Sequence, residues 1–481
     1  MPEKYLEKCI LLQKEEPGWL RTLHQEGLLY ITKNLDETIP DNVNLIILND
    51  ILEHKDLFHI RNFLSNGKCV ISTFQNIDRV DSKSKLVKQK IRFISSNEVS
   101  GIFEGVETID VFKPGYSCNN ARYGLINNVY PAIYKEPLGK AYLVGLPFDV
   151  NQAILDQRQQ KKQIAKHAGK PIFEKVSLVS KAGIIKLLIN LMRKLYFDTN
   201  LPYTHLWYYP KNYKSVFAFR VDLDGYDKES FEITRSLAKK HQLSLSWFID
   251  VKGHEKVLNV LKELKAEGQD VQIHCYFHRT FNSYFGNYFN IKMAQRFFKK
   301  EGIHPLGFVA PFGTWNFGLN KALEKLGFQY SSEFGLSYDG FPFYPSLDRK
   351  KTSRVLQIPI HPVCIGIMLE SNMTAKEMVT YFKKTIDNKI LKREPIFLYG
   401  HPMRRIAKFP EVIDFVFDYI KKKEQIWLTN FTEFNSWWRQ RQQVFNIIIN
   451  GHSLNRLNSN YIHTLRTLHP DSRETFTEIH P

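Results

Sequence analysis

The sequence predicts an α/β protein of two domains, of which the larger is a (β/α) barrel. With 481 residues the chain is too long for one typical hydrophobic core, and its 43% hydrophobic residues exclude a mainly disordered protein. Short apolar runs alternate with amphipathic segments of helix length along most of the chain. That alternation is typical of parallel strands joined by helices.

Residues 1–150 are predicted to form a doubly wound α/β domain. The apolar run at 44–48 predicts a strand, 55–66 predicts a helix and 69–74 predicts the next strand, with short loops between them. Strand, helix and strand in this order favour a parallel sheet with helices on its faces.

Two segments of this domain, NGKCVIS and GKAYLVGLPFD, resemble the glutamine-amidotransferase-like variant of the flavodoxin-type fold. The catalytic members of that fold carry a nucleophile in a GxCxG-type turn. Cys69 lies inside a predicted strand and Cys118 has no flanking glycines, so neither cysteine fits such a turn. We therefore interpret residues 1–150 as an accessory domain without a catalytic nucleophile.

Residues 151–205 are predicted to be a helical connection. Within it, residues 177–197 have an apolar helical face flanked by Lys186, Arg193 and Lys194. A helix packed between two domains is the preferred explanation of this face. Association with a membrane surface stays open as the alternative.

Residues 206–440 are predicted to form a complete or incomplete (β/α) barrel of seven or eight strands. The candidate strands are the runs at 215–221, 243–249, 270–274, 306–310, 329–332, 354–360, 395–400 and 425–429. Amphipathic helices separate most of them, and in such barrels the chemistry collects where the strands end. Residues 441–481 are expected to be a poorly ordered C-terminal tail, because the histidines in it follow no regular spacing.

Polar residues stand at the ends of the predicted barrel strands. Asp222 and Asp224 end the first strand, His274 and His278 follow the third, and His401 follows the seventh. Residues two apart on a strand face the same side, and residues four apart share one face of a helical turn. All five side chains are therefore expected at one rim of the barrel.

This combination of side chains suits hydrolysis. One carboxylate and two imidazoles can hold a divalent metal ion and leave coordination positions open. A metal lowers the pKa of its bound water toward about 7, which makes a nucleophile available near neutral pH. A second carboxylate can accept the proton of that water, and a histidine across the site can protonate a departing amine.

The same residues resemble the motifs of the polysaccharide deacetylase family, also called the NodB-homology domain or carbohydrate esterase family 4. The family's Asp pair before glycine matches VDLDG, its HxxxH matches His274 to His278, its strand-plus-proline motif matches GFVAPFG, and its late apolar-x-His motif matches LYGH. The resemblance covers residues 210–440. Four motifs in the family's order are specific, whereas each alone is weak.

This resemblance implies a metal-dependent hydrolase, usually a zinc enzyme, that removes N-acetyl groups from amino sugars in glycans. Carried over by position, it makes Asp224, His274 and His278 the metal ligands. It also makes Asp222 the general base and His401 the general acid.

One departure from the family concerns its arginine before the proline motif, which is Val309 here. We hypothesise that Arg220 replaces it, because Arg220 shares the inward face of the first strand with Asp222. The alternative is that Arg220 only neutralises buried carboxylates. No partner for His401 is visible in the sequence.

Further residues are predicted to contact or tune the substrate at the rim. They are Pro311, Trp315, Tyr276 and His361. For Trp315 the alternative is a buried core aromatic, and for His361 it is a structural loop histidine.

Composition bounds the partners and the location. Lysine and arginine exceed aspartate and glutamate by 18, which favours polyanionic neighbours. No zinc-finger, helix-turn-helix or RNP-type motif accompanies this charge, so a specific nucleic-acid partner is not expected. The five cysteines lack CxxC spacing, and the sequence shows neither a signal-peptide pattern nor the ~18 uncharged residues that span a bilayer. We expect a cytoplasmic protein with reduced thiols, with peripheral membrane contact as an open alternative.

Three functions are compatible with these residues. The first is a deacetylase of a carbohydrate or of a nucleotide- or lipid-linked sugar, whose phosphates fit the basic charge. The second is a hydrolase of a non-sugar linear amide with the same metal site, which Val309 leaves open. The third is a non-catalytic carbohydrate-binding or membrane-peripheral scaffold. Asp222 counts against a scaffold, because a binding module needs no second carboxylate beside a metal. The sequence does not predict an oligomeric state.

Overall fold

The structure is a computed structural model that describes residues 9–80, 84–97, 101–255, 259–348, 351–451 and 461–479. The chain divides into two compact units. Unit 1 comprises Met1–Asp156, Leu178–Lys211 and Gln440–Pro481, and unit 2 comprises Gln157–Ser177 and Asn212–Arg439. Both units are discontinuous in sequence, unlike the consecutive segments predicted above.

The strands follow in chain order. They are β1 (Ile10–Leu12), β2 (Tyr30–Thr32), β3 (Leu45–Leu48), β4 (Cys69–Thr73), β5 (Leu86–Ser95), β6 (Thr108–Cys118), β7 (Tyr123–Ile126), β8 (Tyr130–Leu138), β9 (Ala141–Leu146), β10 (Gln159–His167), β11 (Lys170–Ser177), β12 (Tyr203–Leu206), β13 (Ser215–Leu223), β14 (Ser246–Asp250), β15 (Asp270–Cys275), β16 (Gly307–Phe308), β17 (Tyr330–Ser331), β18 (Leu356–Gln357), β19 (Ile396–Gly400), β20 (Ile426–Leu428), β21 (His463–Leu468) and β22 (Glu474–Ile479).

Several helices begin at a side chain that accepts from one of their free backbone N–H groups, such as the capping box of Thr374 and Glu377 before the twelfth helix. The helices follow in chain order. They are α1 (Pro17–Glu26), α2 (Asp56–Ser65), α3 (Phe74–Val80), α4 (Val150–Ile154), α5 (Lys181–Asp198), α6 (Lys228–His241), α7 (Val251–His254), α8 (Asn259–Ala266), α9 (Tyr284–Lys300), α10 (Phe317–Lys325), α11 (Ile365–Glu370), α12 (Ala375–Leu391), α13 (Pro410–Lys421) and α14 (Phe431–Ile449).

Unit 1 is built on a nine-stranded mixed sheet in the order β2-β1-β3-β4-β9-β8-β7-β5-β6. The strands β2, β1, β3, β4 and β9 are parallel, as the sequence predicts, and the remaining four extend the sheet in antiparallel pairs. Alternate residues of β1 enter two different cores, Ile10 and Leu12 on one face and Leu11 on the other. The unit is therefore α/β with both sheet faces covered. Its antiparallel half is not part of the predicted fold, and the amidotransferase-like resemblance stays a prediction.

The segments predicted as a helical connection and as a tail also contribute to unit 1. In α5, the apolar side chains of Ile184, Leu188 and Leu191 are buried in the core of this unit. They are core side chains of unit 1 and not an exposed face, so this face is not available to a membrane surface. Peripheral membrane contact of the protein stays a prediction. From the predicted tail, β21 and β22 pair with β12 in a three-stranded sheet. Residues 452–460, 480 and 481 of that predicted tail lie outside the described part of the chain.

Unit 2 is an incomplete (β/α) barrel. Its eight strands are all parallel, in the order β18-β17-β16-β15-β14-β13-β19 with β20 also paired to β13. Among the described residues no ladder joins β18 to β19. A backbone hydrogen bond of 2.9 Å from the N of His361 to the carbonyl of Phe397 bridges that opening, and Tyr399 Oη donates to the carbonyl of Pro362 at 3.2 Å.

Unit 2 also contains a hairpin that the sequence does not predict. Strands β10 and β11 are antiparallel, and they are joined at Ala168 and Gly169, which both have positive φ, as a two-residue type I′ turn requires. Ile172 of the hairpin is buried in the core of the barrel unit. Gln159 donates to the carbonyl of Trp315 at 2.8 Å. The hairpin is thus an integral element of unit 2.

Two further findings bear on the predictions from composition. All five cysteines are free thiols, and four of them are buried. Within the described residues, no helix combines the length and apolar character needed to cross a membrane.

Candidate metal and catalytic site

The strand order of unit 2 brings the predicted residues to one edge of the sheet. Strand β13 pairs with β14 on one side and β19 on the other, and β15 follows β14. Asp224 comes directly after β13, His274 lies near the end of β15, and His401 follows β19. Because the carboxyl ends of parallel strands share one edge, these three side chains converge.

The convergence is close. Asp224 Oδ1 lies 3.2 Å from His274 Nε2 and 3.1 Å from His278 Nε2, and the two Nε2 atoms are 3.1 Å apart. In the described residues this trio is the cluster whose ligand atoms all lie within 4.8 Å of one another. His278 follows β15 in a tight turn, so that residues four apart point to one position.

The residues fit a divalent metal ion. Nδ1 of His274 lies 2.7 Å from the carbonyl oxygen of Val309, which can only accept, so Nδ1 carries the proton and Nε2 offers a lone pair. Without an ion, burial disfavours the ionised form of Asp224, but hydrogen bonds from the protonated rings of His274 and His278 outweigh burial and hold its pKa well below the usual range. A carboxylate and two imidazoles that share one point are a set typical of zinc, with positions left open.

Asp222 lies beside this cluster in a different environment. Its carboxylate is buried, and Oδ2 accepts from Nη2 of Arg220 at 2.8 Å. Oδ1 is buried without a hydrogen-bond partner in the described structure. Arg220 is fixed in turn, because Nη1 donates to the carbonyl of Ser332 at 2.6 Å and the guanidinium lies 4.8 Å from the ring centre of Tyr399. This pairing of Arg220 with Asp222 is compatible with both readings of Arg220, the replacement of the family arginine and the neutralisation of a buried carboxylate.

His401 and Arg405 approach the cluster from β19. His401 Nε2 is 3.4 Å from Asp224 Oδ2, and Arg405 Nη1 is 4.0 Å from the same oxygen. Burial lowers the pKa of His401 to about 4 against the attraction of the two aspartates. The other ring nitrogen, Nδ1, is buried and finds no partner among the described residues. The partner that the sequence leaves unassigned is therefore absent from this part of the structure too.

The remaining predicted rim residues differ in placement. Pro311 begins a short 3₁₀ turn, Pro311–Gly313, next to the site. Tyr276 is partly buried, and its hydroxyl donates to Glu255 at 2.5 Å. Trp315 is buried in a small apolar cluster, so its ring offers no face to a substrate and corresponds to the core alternative. His361 binds Asp339 through Nδ1 at 3.1 Å and Tyr381 through Nε2 at 3.0 Å, so both ring nitrogens already have partners and the histidine is structural.

Two further polar groups at this edge were not predicted. Asp250 ends β14 between Asp224 and His274, and burial raises its pKa to about 6. Nε2 of His254, one turn further on, is buried and has no partner in the described residues. The strand-end rule that found Asp224 would also have found Asp250, because the apolar run WFI ends at it.

Comparisons with known proteins were made for the whole chain. No protein-family model matches the sequence, and no curated protein does. Similar solved structures include a protein assigned as a polysaccharide deacetylase from Mycobacterium smegmatis, with 12% identity over 49% of this chain and 94% of that one and a TM-score of 0.41. A second, so assigned in Pseudomonas aeruginosa, has 14% identity over 52% and 98% with a TM-score of 0.43. PuuE allantoinase has 15% identity over 48% and 92% with a TM-score of 0.42.

Proposed function

We propose that unit 2 is a metal-dependent hydrolase that removes an acyl group, in the first place N-acetyl, from an amino sugar or a glycan precursor. The observation that carries the proposal is the convergence of Asp224, His274 and His278 on one point beside a second carboxylate, Asp222. A structural metal site is closed by its ligands. Here Asp222 is a carboxylate in addition to the three ligands, and a hydrolytic reaction needs such a group as its base.

The metal ligands are Asp224 Oδ1, His274 Nε2 and His278 Nε2. Bound there, a zinc ion would polarise the acyl carbonyl and lower the pKa of a water molecule. The carbonyl of Val309 holds the His274 ring in the tautomer that offers Nε2. This contact orients one of the three ligands before any ion arrives.

Asp222 is the proposed base. Its Oδ2 is occupied by Arg220, whereas Oδ1 has no partner in the described residues and can accept a proton from the attacking water. Arg220 also balances the charge of the Asp222 carboxylate, because its guanidinium lies 2.8 Å from Oδ2. Arg220 is thus a positioning residue for the base.

His401 is the proposed donor of a proton to the departing nitrogen. An amide nitrogen leaves poorly as an anion, so a proton must reach it as the carbon–nitrogen bond breaks. Nε2 of His401 faces Asp224 from the β19 side of the site. His401 follows directly on the buried strand β19. The imidazolium form that donates the proton is opposed by burial and favoured by the charges of Asp224 and Asp222.

The proposal is tested with Asp222→Asn and Asp224→Asn side by side. Metal content of the purified full-length proteins and acetate release from N-acetylglucosamine oligomers, a nucleotide-linked N-acetylamino sugar and a linear N-acetylated amide are measured. Asp222→Asn is expected to keep its metal and lose turnover by about 10²-fold or more. Asp224→Asn is expected to lose both.

Asp227→Asn serves as the matched control, because Asp227 is an N-cap that asparagine can replace. It should retain metal and activity. Wild-type protein without metal and without acetate release would contradict the proposal and favour a scaffold. Release from the linear amide alone would assign the site to the non-sugar hydrolase.

A further inference from the structure

Phenylalanine side chains stand exposed around the candidate metal site. Phe312 is 75% exposed and its ring centre lies 5.4 Å from that of His278. Phe277 is exposed next to His278, and Phe285 and Phe289 are 68% and 59% exposed one turn apart on α9. Together with the exposed Phe317 at the start of α10 we call these side chains, Phe277, Phe285, Phe289, Phe312 and Phe317, the phenylalanine rim.

Specific contacts hold the segments of the rim together. Nδ2 of Asn290 donates to the carbonyl of Phe277 at 3.0 Å, which ties α9 to the turn that carries His278. Nδ2 of Asn316 donates to the carbonyl of Phe281 at 3.0 Å, which ties the start of α10 to the same loop. At Gly318 a Cβ atom would lie 2.8 Å from the backbone N of Tyr284, so the two helices start in close contact. The segments that carry Phe277, Phe285, Phe289 and Phe317 are thus tied to one another.

Basic residues outnumber acidic ones around the rim. Between residues 271 and 323 the sequence has one acidic residue, Glu301, against six lysines and arginines. Lys252 lies 4.7 Å from the ring centre of Phe277, and Arg279 lies 5.2 Å from that of Phe281. On the opposite side of the site, Met403 is exposed and precedes Arg404 and Arg405. Exposed apolar groups are therefore interleaved with cations on both sides of the metal cluster.

This pattern suits a lipid surface better than a glycan. Phenylalanine offers apolar area but neither donor nor acceptor, whereas a sugar needs both stacking and hydrogen bonds. Contiguous exposed apolar side chains mark interaction sites, and cations beside them add attraction to anionic headgroups. Phe312 also has φ +58°, a left-handed conformation that bulky residues rarely adopt and that concentrates at functional positions.

We propose that the phenylalanine rim docks unit 2 on an anionic lipid bilayer. The rings enter the headgroup region while the neighbouring lysines and arginines contact the phosphates. The docking is independent of the proposed hydrolysis. Its use, which is to bring the metal site to an N-acylated sugar carried on a lipid, rests on the proposed function.

The test is sedimentation of full-length protein with vesicles of phosphatidylcholine alone and of phosphatidylcholine with one part in three of phosphatidylglycerol. Wild type is expected to partition to the anionic vesicles at 0.1 M salt and to be released at 0.5 M salt. The double variant Phe285→Ser, Phe289→Ser should bind these vesicles at least about tenfold more weakly, because two rings no longer leave water.

Phe58→Ser is the matched control, since Phe58 is 74% exposed on a helix of unit 1. It should bind the vesicles as wild type does, and all variants should keep the wild-type melting temperature. Equal binding by the double variant and the control, or no binding by wild type, would overturn the proposal. Binding of soluble N-acetylated oligosaccharide that is lost in the double variant, with vesicles left unbound, would instead assign the rim to a glycan.

The assay separates the two proposals, because sedimentation needs no turnover. Vesicle binding without acetate release would support membrane docking and contradict the proposed hydrolase. Acetate release without vesicle binding would support the hydrolase and contradict membrane docking. The double variant is expected to retain wild-type release from a short soluble substrate, since neither ring contacts the metal ligands.

Discussion

Glu333 provides a test of the electrostatics beneath the site. Its side chain is fully buried, with Oε1 accepting from the backbone N of Ala310 at 3.2 Å and Oε2 accepting from Ser331 Oγ at 2.8 Å. Burial raises its pKa to about 7, against these hydrogen bonds and the charge of Arg220. Glu333→Gln removes the titration and keeps the shape. Ser331 Oγ can then accept from the new amide and donate to Gln357, which lies 3.1 Å away.

The sign and size of the effect follow from linkage. A carboxyl group with a pKa of about 7 when folded and 4.5 when unfolded binds its proton more tightly in the native state. The stability it contributes is fully present below pH 4.5 and is lost as the pH rises through about 7. The difference between the two pKa values corresponds to about 3 kcal/mol. Glutamine lacks this dependence, and part of the loss in wild type lies below pH 5, so the variant should gain about 2.5 kcal/mol on wild type between pH 5 and pH 8.

The assay is urea unfolding of both full-length proteins at pH 5 and pH 8. Every other titrating group is shared, so the difference between variant and wild type isolates Glu333. Glu424→Gln is the matched control, because Glu424 is exposed on unit 2, and its effect should stay within about 0.5 kcal/mol at both pH values. A difference for Glu333→Gln that does not change with pH would refute the reasoning.

Two further predictions concern buried ion pairs in unit 2. Arg220→Met should lower the free energy of unfolding by about 3–5 kcal/mol, because it leaves Asp222 buried without its partner at 2.8 Å. Urea unfolding checks this, and adding Asp222→Leu should restore most of the loss; a single variant as stable as wild type would contradict it. Lys389→Met removes the ammonium 2.6 Å from Asp339 and should raise the pH at which acid unfolds unit 2, measured by circular dichroism during acidification. The reason is that burial alone would raise the pKa of Asp339, whereas the charges of Lys389 and His361 hold it low. An unchanged pH midpoint of acid unfolding would contradict a stabilising Lys389–Asp339 pair.

The sequence was informative where local pattern decides the structure. Strand β13 is buried along its whole length, so SVFAFRVDL is apolar enough to be recognised as a central strand. Recognising that strand also locates its carboxyl end, and the carboxyl ends of parallel strands lie at one edge of the sheet. The positions of Asp222 and Asp224 therefore follow from one strand and the barrel rule. His274 and His401 follow from β15 and β19 in the same way.

The sequence was uninformative where distant segments pair. The hairpin of unit 2 turns at Ala168 and Gly169, which is not one of the Asn-Gly or Asp-Gly pairs that predict a type I′ turn. Its strand β10 is mostly lysine and glutamine, and only packing on the barrel through Ile172 on β11 explains it. Likewise β21 needs β12 as its partner, which lies far away in the chain. Pairing of this kind depends on tertiary contacts that no local window contains.

Val309 shows why a missing motif residue need not mean a lost site. Its carbonyl still orients His274, since a backbone group serves whatever the side chain is. What the valine cannot supply is a positive charge next to Asp222, and that charge comes from Arg220 on the same strand as the carboxylate. In the proposed reaction, Arg220 would take the part of the family arginine, since its guanidinium lies within hydrogen-bond distance of Asp222. Arg220 is in turn held by the carbonyl of Ser332, the neighbour of Glu333. The position of Arg220 therefore depends on residues outside the four motifs.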